Sequence, residues 1–205
     1  MKPELLFSKK RQKGLPHRWP LSFVSPLNDE AMLQFALFDY IPKRFLRRAT
    51  FEQQDVSRMI LGFKDGRNVY SRWAARQFAR ALAATDMKEV VIVCIPASTR
   101  YAHVRRWKRF SSELCRLTGA VNGFDRVQVS GSRKRAHVTG EYELSTNIKH
   151  YVHIDADFFR GKRVLVIDDI YTTGRSSSAF VGAMQAVGAS VVAAMFLGRT
   201  KPYCW

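Results

Sequence analysis

The stretch Val164-Leu-Val-Ile-Asp-Asp-Ile-Tyr-Thr-Thr-Gly-Arg-Ser176 constrains the fold more than any other part of this chain. It reads as an apolar strand that ends in two carboxylates and passes through a hydroxyl-rich turn into a helix. Thr172, Thr173, Arg175 and Ser176 offer backbone N–H groups and hydroxyls at that helix N-terminus, where unpaired donors and the macrodipole favour a phosphate. Gly174 lets the backbone approach the anion closely. Asp168 and Asp169 stand just before the anion site, at the carboxyl end of a strand, where open α/β sheets bind ligands. Carboxylates there would repel a bare phosphate, so they suit sugar hydroxyls on the same ligand or a divalent cation. A ribose phosphate satisfies both halves. The plainer alternative is a strand-end turn with two solvated acids. The coincidence of strand, acid pair, hydroxyl-glycine turn and helix weighs against it.

The surrounding pattern supplies the architecture. Ser71 is placed to cap a helix in which Ala74, Phe78, Ala81 and Leu82 recur at helical spacing, with Arg72, Arg76 and Arg80 on the other side. The run from Glu89 to Ile95, ended by Pro96, reads as a parallel strand buried on both faces. A second helix is expected over Lys108 to Leu117, closed by Gly119, and a short strand over Arg126 to Val129. Strand Arg163 to Ile167, helix Ser176 to Val187 and strand Ser190 to Leu197 make a right-handed βαβ unit. The fold class is therefore α/β, a mostly parallel twisted sheet flanked by helices, assigned to residues 50–205. Residues 1–49 read as a basic, proline-containing extension or hood. Within it, Asn28 or Asp29 is placed to cap a helix running to about Asp39, which Pro42 stops. The polar segment from Ser130 to Tyr151 shows no convincing period, as functional or disordered loops do.

Length and composition narrow the class. A chain of 205 residues with 46% hydrophobic content suits one globular domain with a modest extension. Thirty-four basic against 17 acidic residues give a net charge of +17. The basic residues cluster at Lys9–Lys13, Lys43–Arg48, Arg100–Arg109 and Arg133–Arg135, a pattern that attracts polyanions but that also fits a solvated basic surface. Cys94, Cys115 and Cys204 form no close pair, which argues against a disulfide framework or a metal knuckle and for a reducing, cytoplasmic setting. The apolar stretch Ala31 to Phe38 is too short to span a bilayer, so neither secretion nor membrane insertion is expected.

The 164–176 run resembles the 5-phosphoribosyl-1-pyrophosphate (PRPP) motif of type I phosphoribosyltransferases: four apolar residues, two acids, and a TTG turn ending in Thr or Ser. The resemblance implies that Asp168 and Asp169 hold the ribose 2- and 3-hydroxyls. It also implies that Thr172, Thr173, Gly174, Arg175 and Ser176 hold the 5-phosphate. Mg2+ would bridge ribose hydroxyls and pyrophosphate, with no direct protein ligand. By position, the turn holding Ala97, Ser98 and Arg100 resembles the family's pyrophosphate-binding loop, and the segment holding Arg133 and Lys134 its mobile lid.

Within the superfamily, residues 56–200 look most like the ComF-like, competence-associated members, through Met59-Ile-Leu-Gly-Phe-Lys-Asp-Gly66, Arg106 to Leu114, Arg133-Lys-Arg135, DDIYTTG and the end at Leu197 to Thr200. The chain departs from that pattern in lacking the RGFNQ wording and the N-terminal CxxC zinc ribbon, so no zinc is carried over. The resemblance implies transfer of phosphoribose from PRPP to a nitrogen acceptor, which the sequence does not identify, and a homodimer. No general base stands out, since His103, His137, His150 and His153 fall in no diagnostic motif. A PRPP-sensing regulator of transcription is an intermediate case, for which the sequence shows no helix-turn-helix signal, and two other readings compete. One is a non-catalytic PRPP-binding or nucleic-acid-associated protein on the same fold. The other, a phosphoacceptor receiver-like domain, fits poorly because TTG follows the acids immediately.

Overall fold

The computed structural model describes residues 22–23, 33–130 and 152–201. In chain order its elements are β1 (Ser22–Phe23), β2 (Leu33–Tyr40), a 3-10 turn at Lys43–Arg48, α1 (Phe51–Lys64) and α2 (Asn68–Ala81). There follow β3 (Val90–Cys94), α3 (Arg100–Thr118), β4 (Val121–Asn122), a 3-10 turn at Phe124–Arg126, and β5 (Val127–Val129). The chain closes with β6 (Val152–Ile154), α4 (Ala156–Phe159), β7 (Arg163–Tyr171), α5 (Arg175–Ala186) and β8 (Ser190–Thr200).

Six strands form one sheet in the order β1-β2-β8-β7-β3-β4, parallel throughout except for β1 against β2. Strands β5 and β6 form a separate antiparallel pair. The sheet is covered on both faces, as an all-apolar strand such as β3 requires. On one face α1, α2 and α3 bring Ile60, Phe63, Phe78, Trp107, Phe110 and Leu114 against Ile92, Leu165 and Leu197. On the other, α5 and α4 bring Phe180, Met184 and Phe159 against Val164, Val166 and Phe196. Each fully buried large side chain of this kind stabilises the fold by roughly 1.5–3 kcal/mol before entropy is set against it.

Local signals explain several boundaries. Thr50 caps α1 through a reciprocal box, its hydroxyl accepting from the Gln53 amide and the Gln53 side chain accepting from the Thr50 amide. The C-terminal turn of α1 carries two glycines from the 59–66 motif. A Cβ on Gly62 would run into the Tyr70 ring. Gly66 has φ +69 and leaves only 2.8 Å between a Cβ and the Arg105 carbonyl oxygen.

Three expectations fail, and the first concerns a boundary: the helix expected over Lys108 to Leu117 already begins at Arg100, where the Thr99 hydroxyl caps it by accepting the Ala102 amide. The helix expected up to about Asp39 is β2, hydrogen-bonded in register to β8 from Leu33↔Ala193 to Tyr40↔Thr200. A short apolar run beside a cap-like Asn-Asp pair carries both signals, and pairing inside a doubly covered sheet decides for the strand. Residues 33–40, drawn as part of the extension, thus supply a sheet strand. Ser71 is not an N-cap: α2 begins at Asn68, and the Ser71 hydroxyl donates back to the Arg67 carbonyl. Among the described residues no helix is long and apolar enough to cross a membrane.

Candidate functional site

Strand order places the site. From β3 the chain runs through α3 outward to β4, whereas from the adjacent β7 it runs through α5 the other way to β8. Connections diverging from neighbouring parallel strands open a crevice at their carboxyl ends, the position where open α/β sheets bind ligands. At that edge a concavity of about 130 Å³ is lined by Asp168, Ile170, Tyr171, Thr172, Thr173, Gly174, Arg175, Ser176, Ser177 and Phe196. It thus gathers one of the two acids and all five residues expected to hold a phosphate.

The phosphate half is built from backbone. Gly174, at φ 76, turns the chain from β7 into α5, and no side chain caps the helix. The first turn also lacks an acidic residue, so N–H donors and the positive end of the dipole face the concavity. The Ser177 hydroxyl points back to the Gly174 carbonyl at 2.8 Å and fixes the turn from inside. Outside, the Thr172 hydroxyl meets that of Thr200 at 3.0 Å, tying the turn to the end of β8.

The acid half is asymmetric. Asp168 is half-buried on the concavity, its Oδ1 accepting the Asp169 amide at 2.8 Å. Burial first, and the charge of Asp169 second, push its carboxyl up to about 8, while the Asp169 amide, Arg106 and Lys64 act against the rise. Asp169 is only 4% exposed. Its Oδ1 accepts the Ile170 amide at 2.7 Å, and its Oδ2 lies 2.7 Å from Nη1 of Arg106. The latter is a charge contact without aligned hydrogen-bond geometry.

Ala97 and Ser98 lie on the loop from β3 into α3, and Arg100 is the first residue of α3, one strand over from the acids. The β3–β7 pairing continues into that loop through the Ile95 amide, which donates to the Ile167 carbonyl at 2.9 Å. Ala97 is buried, Ser98 and Arg100 are exposed, and none of the three lines the concavity. Arg133 and Lys134 lie outside the described residues, as do His137 and His150. His153 is exposed on β6. His103 is buried and stacked on Phe124, with Nδ1 accepting the Ala97 amide at 3.4 Å. Burial and, secondarily, Arg106 lower its pKa to about 4, so it is a neutral packing residue of the loop.

One site residue escaped sequence reasoning except as part of a basic cluster. Arg106 on α3 reaches the end of β7, pairing with Asp169 and donating Nε to the Lys64 carbonyl at the end of α1. Its helical phase, one residue from the fully buried Trp107, was the available signal.

Among the described residues no group of three His, Cys, Asp or Glu side chains is placed to hold a metal. The donors at the concavity are one carboxylate and a row of hydroxyls and amides. That set fits an ion carried chiefly by the oxygens of a bound ligand, as Mg2+ often is.

No family model matches the chain. Part of it is similar to adenine phosphoribosyltransferases: 32% identical over 77 residues to that of Rhodopseudomonas palustris strain HaA2, and 32% over 76 residues to that of Beijerinckia indica. The aligned part is 37% of this chain and 42% of each relative, so the chain spans less than half of their length. A purine phosphoribosyltransferase from Pyrococcus horikoshii aligns in structure over 63% of this chain and 82% of its own, at 16% identity and TM-score 0.32. The sequence similarity is weak homology, and it supports the type I phosphoribosyltransferase superfamily.

Proposed function

We propose that the chain binds PRPP and transfers its 5-phosphoribosyl group to a nitrogen acceptor, releasing pyrophosphate. The observation that carries this reading is one concavity uniting an uncapped helix N-terminus, entered through a positive-φ glycine, with a strand-end carboxylate. The α5 amides and the hydroxyls of Thr172, Thr173 and Ser176 receive the 5-phosphate. Asp168, on the wall, accepts a ribose hydroxyl, and the positive charge growing on the ring as the anomeric C–O bond breaks favours its ionised form, which counters that charge. Ala97, Ser98 and Arg100, between the end of β3 and the first turn of α3, receive the pyrophosphate. Mg2+ bound with the ligand would supply charge neutralisation of the leaving group. Water must be kept out, since it would hydrolyse the activated sugar. Arg133 and Lys134, in the segment between β5 and β6, are proposed to contribute. Titration with PRPP, followed by a screen of nitrogen heterocycles for pyrophosphate release, tests the proposal.

A second reading has its own observation. Arg72, Arg76 and Arg80 on α2, and Arg105, Lys108, Arg109 and Arg116 on α3, are all exposed. Two adjacent helices so charged suit a polyanion such as nucleic acid, the alternative attached to the ComF-like likeness. Nucleic-acid affinity would fall steeply with salt, whereas turnover would follow PRPP and Mg2+.

A further inference from the structure

The acid pair interrupts the alternation of β7. Ile167 and Ile170 both pack on the core beneath α1–α3, whereas Tyr171 packs on the core beneath α5. Strict alternation would have put residues 167, 169 and 171 on one face. The strand therefore turns over across Asp168 and Asp169, where the amides of Asp169 and Ile170 bond to the carboxylate of the residue before. The step leaves the two acids in different surroundings. Asp168 lines the concavity, and Asp169 does not.

Both oxygens of Asp169 are engaged within the protein, one by its neighbour's amide and one by Arg106. Arg106 is itself held from three directions. Its Nη1 lies against β7, its Nε donates to the Lys64 carbonyl at 2.9 Å, and its guanidinium lies 5.6 Å from the Trp107 ring centre. The Arg106 side chain is 15% exposed and that of Asp169 6%. Turning Asp169 toward a ligand would strand a largely buried cation, an arrangement that proteins avoid.

We propose that the two acids divide the work: Asp168 alone contacts the sugar, while Asp169 and Arg106 are positioning residues that lock the end of β7 so that Asp168 is aimed into the concavity. This rests on the phosphoribosyl reading above, and it departs from the sequence expectation that each acid holds a hydroxyl. Lys64, at the end of α1 where Arg106 is anchored, adds a positive charge that favours the ionised form of Asp168.

Calorimetric titration with ribose 5-phosphate and its 2-deoxy and 3-deoxy analogues separates direct contact from positioning. The wild-type protein prefers the parent sugar to at least one analogue, and Asp168→Asn abolishes that preference. Asp169→Asn and Arg106→Gln weaken all three ligands alike, by about tenfold, a loss passed on through the position of Asp168, and keep the preference. The two together are no weaker than the worse single variant, since they remove one interaction. Arg106→Lys restores most of the affinity, and it carries the test with Asp169→Asn where Arg106→Gln does not fold. Loss of discrimination against one analogue in Asp169→Asn and against the other in Asp168→Asn would overturn the division of labour alone. A folded wild-type protein that binds none of the three sugars would instead remove the phosphoribosyl reading beneath it.

Discussion

Replacing Asp168 by Asn should make the unliganded protein more stable while removing the carboxylate that contacts the sugar. Burial, then the negative Asp169 beside it, raise the Asp168 carboxyl from 3.8 to about 8. At 1.36 kcal/mol per unit, the full rise sets an upper bound of ~6 kcal/mol. Asp168 keeps a wet face on the concavity, so solvent screening brings the expected effect down to roughly 1–3 kcal/mol. The sign follows from proton binding. A carboxyl whose pKa is raised on folding binds its proton more tightly in the folded state, so its stabilising contribution is complete below about pH 4. That contribution is lost as pH rises toward 8. The Asn side chain has nothing to ionise. Thermal melts of the two proteins should therefore coincide near pH 4, and at pH 8 the variant should melt higher by about 2–10 °C, the shift such energies produce in a domain of this size. An Asn variant that melts lower than wild type at pH 8, or a gap that stays constant from pH 4 to pH 8, would refute the reasoning.

Gly174→Ala should cost about 1–2 kcal/mol, because an L-residue at φ 76 is strained. Urea melts should show that loss, and calorimetry a parallel loss of PRPP affinity, since the turn carries the phosphate amides. Gly66→Ala should destabilise by more, about 2–4 kcal/mol, because a Cβ 2.8 Å from the Arg105 carbonyl adds a backbone clash to the strain. Thr50→Ala should lower stability by about 1 kcal/mol through loss of the α1 cap, with ligand binding unchanged.

Most of the sheet was legible because its strands are buried on both faces and so read as unbroken apolar runs. Residues 90–94 and 164–167 are of this kind, and the glycines at 119 and 188 marked where the helices before them stop. The phosphate turn was legible for a different reason. Its hydroxyls and glycine are required by local backbone chemistry, which sequence displays directly. Strand β2 was not, since its eight residues acquire strand character only by pairing with β8, some 160 positions away. Helix α1 went unread although Thr50 and Gln53 spell its capping box and Val56, Ile60 and Phe63 fall at helical spacing. The differing surroundings of Asp168 and Asp169 lay beyond sequence altogether. Adjacent acids look equivalent on paper, and only the turnover of β7 and the arrival of Arg106 from α3 distinguish them.

The most direct test of the central claim is calorimetric titration of the purified protein with PRPP, with and without Mg2+, repeated on the Asp168→Asn/Asp169→Asn double variant. The account predicts micromolar, Mg2+-dependent binding by the wild-type protein, about −8 kcal/mol, and none by a folded double variant. Folded wild-type protein that takes up no PRPP, or a folded double variant that binds it as tightly as wild type, would contradict the account.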